Sequence, residues 1–228
     1  MEMISENRLE AYNLPQGQMA NMFHSMALRE PGKLSKIGLG TFVDPRIEGG
    51  KMNSRTMDKE DIVAVVTVDG EEYMQYREVP IDTLVIRGTY ADEAGNISTV
   101  LEVLPAVMAA KRFGGKVICQ VKQVVRTGTL DPKRVAVPGV MVDAVVVCEN
   151  PMEEHKQTSS WYFDPSYSGQ IHTPLRASSS IPLNIRKVIG RRAAMLLKSD
   201  VIINVGTGIP NDVIGPILAE EDVQDDVM

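Results

Sequence analysis

The sequence predicts an α/β fold of open, mostly parallel sheets with flanking helices. Two β-branched runs, Lys116 to Val125 and Val140 to Val147, carry that prediction. Strands covered on both faces read as near-continuous apolar runs, because neither face has to be polar. A helical segment, Val100 to Arg112, separates the first of these runs from an earlier strand, Ile81 to Arg87. Strand, helix, strand and strand in this order imply crossover connections.

The elements follow in chain order. Asn13-Leu14-Pro15-Gln16-Gly17 opens a helix, and Met19, Met22, Phe23 and Met26 recur at helical spacing on one apolar face. That helix ends before Pro31-Gly32. Residues 37–53 carry Gly38, Gly40, Gly49, Gly50 and Pro45, which is the composition of a loop shaped by its backbone. Ile62 to Val68 and Glu71 to Val79 flank Asp69-Gly70, a pair that favours the type I′ turn of a β-hairpin. Asp92 to Asn96 is a turn, and Gly114-Gly115 stops the helix that contains Pro105. Val140 to Val147 and Lys116 to Val125 are expected as buried central strands.

At residue 149 the composition becomes polar, up to Ser178-Ser179-Ser180, with Trp161, Tyr162, Phe163 and Tyr167 interleaved. This stretch reads as a linker whose aromatics dock on a surface. A fresh α/β unit follows: a helix from Asn184 to Lys198, a short buried strand Val201 to Val205, a glycine loop and a helix to about Glu220. Ile185, Val188, Ile189, Ala193, Leu196 and Leu197 form the first helix's apolar side, and Asn211 is placed to cap the second. Val227-Met228 reads as the start of another strand. So little strand cannot build a sheet, so this second unit looks incomplete.

The chain has 228 residues, 43% hydrophobic and 24% charged. That is a globular composition, enough for one medium domain or two small ones. No apolar run reaches the length of a membrane span, and the N-terminus lacks the pattern of a signal peptide. The net charge is −6, and the only basic concentration is Arg186, Lys187, Arg191 and Arg192. Nucleic acid is therefore not an expected partner. Cys119 and Cys148 sit in apolar runs and read as buried reduced thiols, which suits the cytoplasm. His24, His155 and His172 form no ligand pattern, so no metal is expected, and His24 reads as a half-buried structural residue.

Few residues announce chemistry. The Gly206-Thr207-Gly208-Ile209-Pro210 loop follows apolar sequence and opens a helix, a setting that suits anion binding. Asn211 stands where a dinucleotide fingerprint has its third glycine, so a nicotinamide enzyme is disfavoured. A plain tight turn and a phosphate or thioester site both remain open. Gln16-Gly17 lies at a helix start, as a surface glutamine or as a donor to a substrate carbonyl. Glu93 and Glu102 read as solvated carboxylates before they read as general bases. No Ser-His-Asp order, CxxC pair or P-loop is present.

Taken together, several segments resemble family I CoA-transferases of the acyl-CoA:acetate/3-ketoacid type. Tyr12-Asn13-Leu14-Pro15-Gln16-Gly17 looks like the family's proline-glutamine-glycine turn. Ile37 to Arg46, continuing to Gly49-Gly50-Lys51-Met52-Asn53, is the most specific match. Val137 to Ala144 resembles the last strand of the family's first domain. Leu183 to Lys187 and Asn204 to Pro210 resemble the opening of its second.

The resemblance implies two related α/β domains, both incomplete here: residues 1–148 as most of the first, 149–181 as the linker and 182–228 as the beginning of the second. It implies transfer of coenzyme A from an acyl-CoA to a short-chain carboxylate through a glutamyl-CoA thioester, with coenzyme A as substrate and no separate cofactor. Gln16 and Gly17, with Gly206, Gly208 and Pro210, match the family's substrate and CoA site. No catalytic residue is assigned, because the family's Glu-x-Gly motif would fall beyond Met228 and its N-terminal glycine motif before Met1. The expected partners are acyl-CoA, the carboxylate, and either further copies or the remaining portions of the same enzyme. A folded, non-catalytic module that binds CoA or a partner is the alternative.

Overall fold

The computed structural model describes residues 1–98, 103–158, 161–172, 180–198 and 200–220. The chain divides into two compact units, Met1–Lys156 and Gln157–Met228.

The first unit runs α1 (Glu2–Ser5), α2 (Gln16–Leu28), β1 (Lys33–Ser35), α3 (Ser54–Met57), β2 (Val63–Val68) and β3 (Glu71–Tyr76). It continues β4 (Thr83–Arg87), β5 (Tyr90–Asp92), β6 (Ile97–Ser98), α4 (Leu104–Arg112), β7 (Lys116–Val121), β8 (Gln123–Val125), β9 (Val135–Val137), β10 (Ala144–Val147) and α5 (Pro151–Glu154). The hairpin forms as expected. Asp69 and Gly70 have φ of 52° and 82°, as a type I′ turn requires, and β2 pairs with β3 from Val63↔Tyr76 to Val68↔Glu71. β1 adds on the other side of β3.

The run from Lys116 to Val125 is two strands, not one. β7 is the centre of a parallel sheet ordered β10-β7-β4, whereas β8 pairs with β5 in a small sheet ordered β8-β5-β6-β9. The expectation of two buried central strands holds for β7 alone. Its Val117, Cys119 and Val121 are fully buried against Val107 and Ala110 of α4. β10 lies at the edge, and Val140 belongs to a 3-10 turn and is exposed. α4 starts at Leu104, later than expected, because Pro105 fits the first turn, where its missing N–H costs nothing. Glu102 lies outside the described residues.

α2 also differs in detail. Met22 and Met26 are buried as expected, but Met19 is exposed and Gln18 and Ser25 share the buried face. His24 is exposed, not half-buried. The helix ends at Arg29, in the left-handed conformation, ahead of Pro31. Arg112 of α4 reaches back to it, with Nη1 donating to the Met26 carbonyl at 2.8 Å while the same guanidinium pairs with Glu78.

The second unit contributes α6 (Ile185–Ala194) and α7 (Ile209–Glu220). Asn184 caps α6, its side chain accepting from the Lys187 N–H at 3.0 Å. A Cβ on Gly190 would overlap Ile217 and lie 2.7 Å from Val213 Cγ2, so the two helices meet at that glycine. This shifts the expected face of α6, of which only Ala193 and Leu197 are half-buried. Lys187 and Gly190 are buried, while Ile185, Val188, Ile189 and Leu196 are exposed. Residues 202–205 form no strand, and Ile202 is 88% exposed. Val201 is half-buried and makes an isolated bridge, so the buried strand expected over Val201 to Val205 is reduced to that one residue. Trp161, Phe163 and Tyr167 are each more than half exposed, while Tyr162 is half-buried. Ser178, Ser179, Val227 and Met228 lie outside the described residues.

Candidate functional site

The glutamine turn stands on a glycine-built support. Pro15 precedes α2 with extended ψ and no side chain caps the helix. Its carbonyl takes the N–H groups of Gln18 and Met19, at 2.9 and 3.1 Å. The N–H groups of Gln16 and Gly17 therefore stay unpaired within the helix, as the first turn of any helix requires. Gln16 and Gly17 are exposed, and among the described residues nothing beyond the helix's own backbone and the chain neighbours comes within 4 Å of a Cβ built on Gly17. The arrangement offers two backbone donors, a helix-dipole end and the Gln16 amide to an oxyanion.

Residues 37–53 hold that turn in place. Asn13 N–H donates to the Gly50 carbonyl at 2.7 Å and Met52 N–H to the Ala11 carbonyl at 3.0 Å, around a Tyr12↔Lys51 bridge. Asp44 organises the loop from inside. It is 1% exposed and accepts from the Gly40 and Arg46 N–H groups at 2.9 and 3.0 Å, and from Arg46 Nε and Nη2 at 3.0 and 2.8 Å. Arg46 Nη1 continues to Glu72 on β3, at 3.0 Å to each oxygen. The Arg46 hydrogen bonds hold the Asp44 carboxyl well below the usual carboxylate range. Lys51, 12% exposed on its side chain, donates to the Lys59 carbonyl at 2.7 Å and pairs with Asp61 at 2.9 Å. Sequence pattern alone does not single out Asp44 and Arg46 as supports for the site. The only sequence signal was their position inside the most specific matching segment.

Gly206, Gly208 and Pro210 lie in the second unit, at the start of α7. Gly208 has φ of +115°, which favours glycine, and its carbonyl accepts the Asp212 N–H at 3.2 Å. Among the described residues, none beyond the chain neighbours comes within 4 Å of a Cβ built on Gly206 or Gly208. The helix begins at Ile209, so Asn211 sits inside its first turn and does not cap it; Pro210, with its φ preset, extends the helix toward the glycine. The basic concentration nearby is largely neutralised. Arg186 pairs with Asp212 at 2.6 Å, Lys187 with Glu220 at 2.7 Å and Arg191 with Glu220 at 3.6 Å. The predicted residues thus form two groups, Gln16 with Gly17 in one unit and Gly206, Gly208 and Pro210 in the other.

Glu93 is exposed and its Oε2 accepts the Thr127 N–H at 3.2 Å, a structural role. No group of three or more His, Cys, Asp and Glu that could hold a metal occurs among the described residues, and no helix among them is long and apolar enough to cross a membrane.

Comparison with known proteins decides the family. Residues 2–148 match the family model of coenzyme A transferase. The chain belongs to the coenzyme A transferase family. It is 42% identical to caffeate CoA-transferase of Acetobacterium woodii over 93% of this chain and 41% of that protein. It is 37% identical to acetate CoA-transferase YdiF of Escherichia coli K12 over 99% of this chain and 42% of that protein. The crystal structure of the YdiF apoenzyme from Escherichia coli O157:H7 superposes with a TM-score of 0.79 at 35% identity, over 99% of this chain and 42% of that one. Glutaconate coenzyme A-transferase of Acidaminococcus fermentans, at 18% identity and a TM-score of 0.51, shares the fold. The transferase segment thus spans about two-fifths of the length of the relatives it matches. The α/β reading, with a parallel sheet and flanking helices, is that of the family.

Proposed function

We propose that this chain is part of an enzyme that moves coenzyme A from an acyl-CoA to a short-chain carboxylate through a glutamyl-CoA thioester. The observation that carries the reading is the uncapped, open turn at Gln16-Gly17 in a chain whose first unit matches the coenzyme A transferase model. A glutamate carboxylate attacks the acyl-CoA carbonyl and releases CoA thiolate, leaving a mixed anhydride. The thiolate then attacks the glutamyl carbonyl, the carboxylate product leaves, and the enzyme holds the CoA as a thioester. The acceptor carboxylate reverses the sequence. Every step builds negative charge on a carbonyl oxygen, and preorganised donors stabilise it.

Gln16 and the adjacent N–H groups are assigned as such donors. Gly206 and Gly208 are assigned to the backbone that approaches the CoA, with Pro210 fixing the helix start behind them. The attacking glutamate belongs to a part of the family fold that these 228 residues do not span. Coenzyme A is substrate, and no separate cofactor is assigned. Residues 1–148 are assigned to the first domain and 182–228 to the start of the second. A cytoplasmic enzyme, assembled from further copies or from a chain with the remaining portions, fits this reading. The exposed sheet face of Val85 and Val146 and the exposed side of α6 favour such association.

Mass spectrometry tests it. The 228-residue chain incubated with acetyl-CoA is expected to show no CoA adduct that survives denaturation. The full-length enzyme carrying this segment is expected to show one. In that enzyme Gln16→Ala is expected to lower kcat/KM by roughly a hundredfold with an unchanged Tm, since the Gln16 side chain is exposed. A covalent adduct on the 228-residue chain would place the nucleophile within it and overturn the assignment. Full turnover by Gln16→Ala would remove Gln16 from the site.

A further inference from the structure

A second site lies away from the glutamine turn, on the outer face of the β8-β5-β6-β9 sheet. Tyr90 pairs with Ser98 on one side and Gln123 on the other, and Asp92 pairs with Val125. Directly opposed residues share a face and a strand alternates with period two, so Tyr90, Ser98 and Val125 point the same way. Ala91, Ile97 and Val137 take the other face and are fully buried. The outward trio floors an open cavity of about 620 Å³, walled by Thr89 and by residues 129–131 and 134. That is within the usual range for a small-molecule site, roughly 300–1,000 Å³.

The wall brings uncommitted polar groups to this floor. Arg134 ends the 3-10 turn Pro132–Arg134, which Asp131 caps by accepting the Lys133 N–H at 3.0 Å. The Arg134 guanidinium has no ion pair or hydrogen-bond partner among the described residues, nor do the hydroxyls of Thr89, Ser98 and Thr129. Among the described residues of the lining Asp131 is the one carboxylate, and the turn it caps is what presents Arg134. A guanidinium is a fixed fork that matches phosphate oxygens, and hydroxyls complete such a shell. Beside them lie an exposed phenol ring and the apolar Val125 and Leu130, surfaces on which a flat ring can stack.

We infer that the Arg134 cavity binds a phosphorylated nucleoside, with Arg134 and the neighbouring hydroxyls on the phosphate and Tyr90 on the base. The phosphate can come from the nucleotide end of coenzyme A or from a free nucleotide. This site is separate from the glutamine turn, and its test reads binding, so it can fail or stand whatever the transfer chemistry proves to be.

The test is calorimetric titration of the 228-residue chain with adenosine 3′,5′-bisphosphate, with coenzyme A and with acetate. The bisphosphate is expected to bind, with affinity falling about tenfold or more in Arg134→Gln and less in Arg134→Lys, which keeps the charge but loses the fork. Arg55→Gln, on α3, is expected to bind as the unaltered chain does. A parallel loss for coenzyme A in Arg134→Gln assigns the site to that molecule; unaltered coenzyme A binding assigns it to a free nucleotide. Absence of bisphosphate binding at millimolar concentration, or equal binding by Arg134→Gln of unchanged Tm, overturns the inference. Acetate competing at the same concentration as the bisphosphate overturns it too, by making the cavity a carboxylate site.

Discussion

Gly50 passes the Asn13 carbonyl so closely that a Cβ on it would stand 2.8 Å from that oxygen, and its φ is +71°. Both facts demand glycine where the glycine-rich loop passes the chain leading into Pro15 and Gln16. Alanine there would strain the backbone and push the two strands of this clamp apart. Gly50→Ala is expected to cost about 1–3 kcal/mol of unfolding free energy. Urea denaturation of the two proteins measures it, and a difference inside about 0.5 kcal/mol would mean the clamp is slack.

Acid sensitivity follows from partnered carboxylates, with Asp44, Asp92 and Asp143 among them. Asp44 is held below its ordinary value by hydrogen bonds from Arg46, Asp92 by the Asn96 side chain and Asp143 by Lys111. A carboxylate titrating lower when folded than when unfolded stabilises the protein above its unfolded value, near 3.9. That contribution disappears as pH falls from there through the folded value. The urea midpoint is therefore expected to stay level from pH 7 to 5 and to drop between pH 4 and 3. Asp44→Asn should start from a lower midpoint and drop less. An unchanged midpoint at pH 3 would show that these carboxylates are not linked to folding.

What was legible in the sequence depended on local chemistry. Asp69-Gly70 dictated its own turn, and Pro31 and Gly114 marked helix ends, because backbone restrictions act within a few residues. The helix at Gln16 and the glycine loop were legible for the same reason. The break at Lys122 was not: β7 and β8 are both β-branched, and only their different partners separate them. The faces of α6 were misread because Ile185, Val188 and Ile189 satisfy a helical apolar period, while the contact is made at Gly190. Asp44 is not legible as a support because its role lies in four hydrogen bonds that no spacing rule foresees.

Gly190 gives the second unit its own test. Its missing side chain lets α7 approach, and Val213 offers only its stiff branched Cβ and Cγ2 as neighbours, 3.1 and 2.7 Å from a built Cβ. A leucine gains helix propensity of up to about 1 kcal/mol but overpacks the contact by about 1–3 kcal/mol or more. Gly190→Leu is expected to accelerate hydrogen exchange of amides in α6 and α7 while leaving those of β7 unchanged. Equal acceleration in both units would mean that they unfold as one body.

The two thiols report on the core of the first unit. Cys119 is fully buried beneath α4 and Cys148 is 6% exposed. Burial pushes the Cys119 thiol up to about 11 and raises Cys148 as well. The thiolate is the reactive form. At pH 8 an ordinary free cysteine is about one-quarter thiolate, whereas a thiol at 11 is ionised to roughly one part in a thousand. Ellman's reagent at pH 8 is therefore expected to label neither cysteine of the native chain at the rate of a free thiol, and to label both once urea unfolds it. Cys148→Ser isolates Cys119. Rapid labelling of that variant without denaturant would show that the sheet beneath α4 opens on the timescale of the assay and that Cys119 is not sealed in the core.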